Sequence, residues 1–156
     1  VDVELLPHIG FATFRFGMSA DEAGQAAREL GLTVPDADAE AEPGQILCKH
    51  EGYRANVMLG FRKGELTNVE VWRFRDEDAD MRVTLDGVDV FRTPSDELLA
   101  RLEERGHVVE ENDLGFDVLP ELKVIFANNS SFEYPVDEEG DPLYFDYVLV
   151  TTDPVG

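Results

Sequence analysis

The chain has 156 residues, 43% of them hydrophobic, with ten Phe, four Tyr and one Trp; this apolar volume suits one ordinary domain, or two small lobes sharing a core, and excludes wholesale disorder. Its 34 acids against 13 bases give a formal net charge of −21, which excludes naked nucleic acid and anionic membrane faces as natural partners, because both need cationic side chains. Cys48 is the single cysteine, so an intrachain disulfide is excluded; with no signal-peptide pattern and no apolar run of membrane-spanning length, a cytoplasmic protein is expected.

Residues 3–16, VELLPHIGFATFRF, alternate imperfectly and read as an extended segment ended by Gly17 and Met18. Ser19 is a good N-cap, and Glu22, three residues later, completes a capping box. Ala23, Ala26, Ala27 and Leu30 recur at helical spacing, giving a small apolar face that can lie close to a sheet. Gly31 supplies the left-handed position that stops the helix. Residues 35–45 are an acidic loop, and strands are predicted over 46–50, 53–61 and 68–74. Arg62-Lys63-Gly64-Glu65 reads as a hairpin turn with Gly64 at positive φ. Val57, Leu59 and Phe61 share one pleated face with Val69 and Val71, and either Trp72 or Phe74 completes it.

Residues 75–81 form a charged connector that divides the chain into 1–78 and 79–156. Residues 83–91, VTLDGVDVF, read as a second opening strand, Thr93 as a second N-cap and Pro94 as its N1 residue. Asp96 and Glu97 complement the helix N-terminus, Leu98, Leu99 and Leu102 form the apolar stripe, and Gly106 ends it. Further β-like segments are 107–111, 113–127 and 146–152, with a polar, acidic loop over 128–142. The same order of strand, capped helix, glycine stop and β-rich segment thus occurs twice. The expected fold class is α+β, with two pseudo-repeats, each a strand–helix unit followed by antiparallel strands, and helices packed on antiparallel sheet. The halves differ in charge: 15 acids and 8 bases in 1–78, 19 acids and 5 bases in 79–156.

The candidate chemistry is sparse. Asp76, Asp78 and Asp80 have the alternate spacing of a calcium loop, but Met81 stands where its turn needs Gly and Gly87 where it needs a bidentate Glu. Cys48 and His50 share a strand face, yet a zinc site would have to recruit His8 or His107 from elsewhere. A Cys48–histidine dyad has nothing to position it, and Ser19 and Ser95 are explained by helix starts. There is no phosphate-binding glycine loop and no G-x-S-x-G. Neither cofactor nor metal is expected. Trp72, on a strand flanked by Arg73 and Arg75, has the aromatic–arginine composition favoured at interface hot spots. Asp137, Glu138, Glu139 and Asp141 are the acidic candidates for contact with a partner.

The stretch GFATFRFGMSADEA, through Gly10, Phe16, Gly17, Met18, Ser19 and Glu22, resembles the opening of a family of uncharacterised bacterial proteins. DGVDVFRTPSDELLARLEE, residues 86–104, resembles a second stretch of the same group. The G-M-S helix start is also similar to that of the β-lactamase-inhibitor-protein-like fold, its small outer-membrane lipoprotein relatives, and immunity proteins of bacterial toxin systems. The resemblance implies helices on one side of an antiparallel sheet in tandem copies, and a habit of binding proteins. It transfers no site residue, and this sequence lacks the disulfide cysteines and lipoprotein signal of the inhibitor and lipoprotein members. The expectation is a non-enzymatic module, monomeric or weakly dimeric, that binds a basic protein as immunity or inhibitor proteins do. The competing expectation is a small-ligand binder or small enzyme with a pocket between sheet and helices, lined by residues such as Cys48, His50 or Tyr53.

Overall fold

Two of the hairpins of this chain are built on two-residue turns with both residues at positive φ. In the computed structural model, which describes residues 2–32, 45–50, 55–73, 82–113, 116–127, 138 and 143–153, Lys63 and Gly64 take φ of 55° and 79°, the type I′ combination that matches strand twist. They join β5 (Ala55–Arg62) to β6 (Glu65–Arg73), as the sequence leads one to expect, and β5 also pairs with β4 (Gln45–His50). Asp86 and Gly87 repeat the geometry with φ of 51° and 81°. The expected strand over 83–91 is therefore a hairpin, β7 (Arg82–Leu85) and β8 (Val88–Asp89). The opening segment likewise breaks into β1 (Asp2–Leu6), β2 (Gly10–Phe11) and β3 (Phe14–Arg15). Residues 113–127 divide into β10 (Asp117–Leu119) and β11 (Val124–Ala127) across a turn containing Pro120, which has no amide proton to give a ladder. The expected strand over 107–111 shrinks to β9 (Glu110–Glu111), and β12 (Tyr147–Thr151) closes the list.

The helices α1 (Ala20–Glu29) and α2 (Ser95–Glu104) have ten residues each. Ser19 caps α1 with a complete capping box: its hydroxyl accepts from the Glu22 amide, and its own amide donates to the Glu22 carboxylate, both at 3.2 Å. Thr93 does not cap α2. The helix starts one residue later, Pro94 occupies the cap with no side-chain bond, and the Ser95 amide donates instead to the Leu143 carbonyl at 2.7 Å. A tertiary contact thus replaces the local one. Both helices end alike: the amides of Gly31 and Leu32 return to Arg28 and Ala27, and those of Gly106 and His107 to Glu103 and Leu102, the paired bonds of a Schellman motif.

In each sheet the strands of one repeat run in mirror order to those of the other about a central seam, three against two in the small sheet and three against four in the large one. The five-stranded sheet runs β3-β2-β1-β7-β8, and the seven-stranded sheet runs β4-β5-β6-β12-β11-β10-β9. Each repeat gives its opening strands to the first sheet and its closing strands to the second. The repeats meet at β1–β7, which is parallel, and at β6–β12, which is antiparallel. Each helix start is bonded near the last strand of its own repeat: Gly17 and Met18 exchange backbone bonds with Leu66 next to α1, and Ser95 bonds Leu143 next to α2. The result is an α+β fold of two strand–helix–strand units, with both helices packed against sheet.

One hydrophobic core joins all of this. On one face of the large sheet, Ile46, Cys48, Val57, Leu59, Val69, Val71, Val148, Val150, Val124 and Phe126 are buried. Phe11 and Phe14 from the small sheet, Ala23, Ala26 and Ala27 from α1, and Leu98 and Leu102 from α2 belong to the same cluster. Phe61, expected in this face, is only partly buried against it, because a β-bulge follows Gly60. Among the described residues, no helix is long and apolar enough to cross a membrane.

Candidate protein-binding face

Strand alternation sends every second residue of the large sheet away from the core. The register places Leu47, Met58, Glu70, Leu149, Ile125 and Val118 in a single row across six strands of that opposite face. All but one are half-buried; Val118 is buried. The adjacent row holds Lys49, Asn56, Trp72, Tyr147 and Ala127. Among the described residues, none of the half-buried apolar side chains in these two rows belongs to the core cluster or packs against it, while Val118 and Ala127 are buried outside that cluster. A sheet face exposed to water on an antiparallel fold ordinarily carries polar side chains. This face, half-buried from Leu47 to Ile125 and buried at Val118 and Ala127, carries an apolar band with a carboxylate in the middle.

Glu70 is that carboxylate. Its register neighbours are Met58 and Leu149. The Tyr147 hydroxyl donates to its Oε1 at 2.7 Å, a short bond to a charged acceptor. Burial, then that hydrogen bond and the negative charge of Glu70, hold the Tyr147 phenol far above its ordinary range, so it stays a neutral donor. The Tyr147 ring meets Trp72 at 5.2 Å between centroids and 57° between planes. Trp72, two residues after Glu70, shares its face of β6. Trp72, Tyr147 and Glu70 are therefore one contiguous group.

The other expected candidates are placed differently. Glu138 is exposed, while Asp137, Glu139 and Asp141 lie outside the described residues, as do Asp76, Asp78, Asp80, Tyr53, Phe74, Arg75 and the side chains of His50 and Arg73. Among the described residues, no group of three or more His, Cys, Asp or Glu is placed to hold a metal. Cys48 is fully buried opposite Val57, and burial pushes its thiol up to about 11, so it is protonated at neutral pH and a poor nucleophile. His8 donates through Nε2 to the Glu121 carbonyl at 2.8 Å, tying the β1–β2 turn to the β10–β11 turn. His107 stands 3.2 Å from Asp86 beside Arg105, where the end of α2 meets the β7–β8 turn.

A groove of about 450 Å³ lies beside α1, lined by Thr13, Met18, Asp21, Glu22, Gln25, Ala26 and Glu29. It opens broadly to solvent, and Glu22 is already engaged in the capping box. On β9 and β10, Asp117 faces Glu111 across the pair; desolvation first, then Glu111 and Asp96, raise its carboxyl above the ordinary value.

Sequence reasoning singled out Trp72 but missed Glu70, Tyr147 and the apolar row. The signal was present in VMLGF, VIFA and YVLV, runs apolar at consecutive positions. Such a strand is apolar on both faces, not one. Comparisons of the chain with protein-family models, with curated proteins and with solved structures give no match.

Proposed function

We propose that this chain is a non-enzymatic protein-binding module that takes a basic protein partner on the open face of its seven-stranded sheet, as an immunity or inhibitor protein does. The observation that carries the reading is the row Leu47–Met58–Glu70–Leu149–Ile125, half-buried and mostly apolar, which among the described residues stands outside the core cluster. Contiguous apolar surface with aromatic anchors is the composition of an interface centre. The charge selects among partners. A second copy would bring another −21 and set a second carboxylate at or near Glu70, so self-association on this face is disfavoured. A basic partner is attracted over a distance and matched at contact. Asp137, Glu138, Glu139 and Asp141 add negative charge to the same half of the chain as β12.

The test is capture of partners by tagged protein from its native cell, at low and at high salt, with Leu149→Asp in parallel. The expected result is a basic protein retained at low salt, released at high salt, and absent with Leu149→Asp while circular dichroism stays native. Retention indifferent to both salt and Leu149→Asp contradicts the reading. The second reading, a small-ligand binder, is favoured by one observation, the groove beside α1; its carboxylates Asp21 and Glu29 suit a cationic ligand.

A further inference from the structure

Glu70 poses a problem that any occupant of this face must solve. Its Oε1 accepts from Tyr147, but among the described residues nothing hydrogen-bonds its Oε2 and no cation forms an ion pair with it. Met58 and Leu149 flank it on the neighbouring strands. A partner that covered this row with apolar groups alone would bury the carboxylate with half its acceptors unused, which costs more than the apolar contact returns. The occupant must therefore bring a donor to Oε2, and on a chain of charge −21 a cationic donor gains most. Trp72 narrows the choice. Its half-buried indole stands on the same strand face as Glu70, two residues away, with its position set by the 5.2 Å contact to Tyr147. A group that hydrogen-bonds in a plane while stacking on an aromatic ring satisfies both neighbours at once. A guanidinium does this; a lysine ammonium, compact and strongly hydrated, does it less well.

We infer that the side chain this face receives from its partner is an arginine, stacked on Trp72 and hydrogen-bonded to Glu70, whose other oxygen Tyr147 holds in place. The inference rests on the protein-binding reading above and specifies its anchor.

The single tryptophan makes the site directly readable, because all indole emission comes from Trp72. The probes are short oligo-arginine and oligo-lysine peptides of equal length, titrated at constant ionic strength into wild type, Glu70→Gln and Glu103→Gln. Glu103 is an exposed acid on α2 and controls for the loss of one charge. Glu70→Gln keeps the shape and an acceptor for Tyr147, and circular dichroism checks its fold. The expected result is a change in Trp72 emission with oligo-arginine, at an affinity about tenfold weaker in Glu70→Gln, as for loss of one hydrogen bond to a charged group, and unaltered in Glu103→Gln. Oligo-lysine is expected to bind more weakly than oligo-arginine. Equal affinity in wild type and Glu70→Gln, or equal affinity for the two peptides, overturns the arginine anchor and leaves the binding face standing. Silence of Trp72 toward every peptide also overturns the anchor; the salt- and Leu149-dependent capture then decides the wider reading by itself.

Discussion

Phe126→Ala is expected to lower stability by about 3–5 kcal/mol, the cost of lost transfer energy plus the cavity left behind. Phe126 is fully buried on the core face of β11, and its ring stacks on that of Phe145 at 5.2 Å and 20°. Its register partner on β12 is Val148, which pairs in turn with Val71 of the first repeat. The ring therefore stands one strand from the antiparallel seam where the two repeats join. A domain of this size holds only about 5–15 kcal/mol in all, so the variant should lose a large part of its stability. Urea unfolding followed by circular dichroism measures it. A loss under about 1.5 kcal/mol, the range of volume-conserving swaps, would show that the ring is not packed as described.

Gly10→Ala is expected to cost roughly 3 kcal/mol or more, as strain and overpacking combined. The reason is backbone, not side chain. A Cβ at Gly10 would stand 2.1 Å from the Phe14 carbonyl oxygen, and φ there is +154°. Nothing flexible can yield, since both partners belong to the β2–β3 hairpin. That hairpin carries Phe11 and Phe14, both fully buried and stacked at 6.4 Å. Opening it would withdraw two aromatic rings from the core. By contrast Gly64 and Gly87, at the type I′ turns, have open space where a Cβ would be, so alanine there meets only an unfavourable φ. Thermal unfolding of the three variants side by side should rank Gly10→Ala as the most damaging; equal losses at the three sites would contradict the close approach at Gly10.

These two positions mark what the sequence makes legible. Local chemistry reads well: the Ser19–Glu22 box, the Gly31 and Gly106 stops, and the Lys63-Gly64 turn each act within a few residues, and each stands where the sequence places it. The Asp86-Gly87 turn was equally local, a strong hairpin dipeptide that the surrounding apolar alternation obscured. The repeated strand–helix order is visible, but how the two units join is not. The parallel β1–β7 pair and the antiparallel β6–β12 pair are chosen by contacts some eighty residues apart, beyond any window of periodicity. Thr93 misled for the same reason, since a carbonyl from Leu143 took the work assigned to its hydroxyl. At the candidate site, Trp72 was legible as a lone aromatic in a strand. Glu70 looked like an ordinary polar residue in an alternating strand. Only the register, which sets Met58 and Leu149 beside it and Tyr147 within a hydrogen bond, gives it its setting.

The central claim is that the outer sheet face, and not the groove beside α1, is where a partner sits. Hydroxyl-radical footprinting of the protein with and without its captured basic partner tests it most directly, because each surface carries its own half-buried methionine: Met58 on the sheet, Met18 in the groove. The account predicts that the partner protects Met58, Trp72 and Tyr147 from oxidation and leaves Met18 and the exposed Ile9 and Val108 unchanged. Protection of Met18 with no change at Met58 or Trp72 would contradict it.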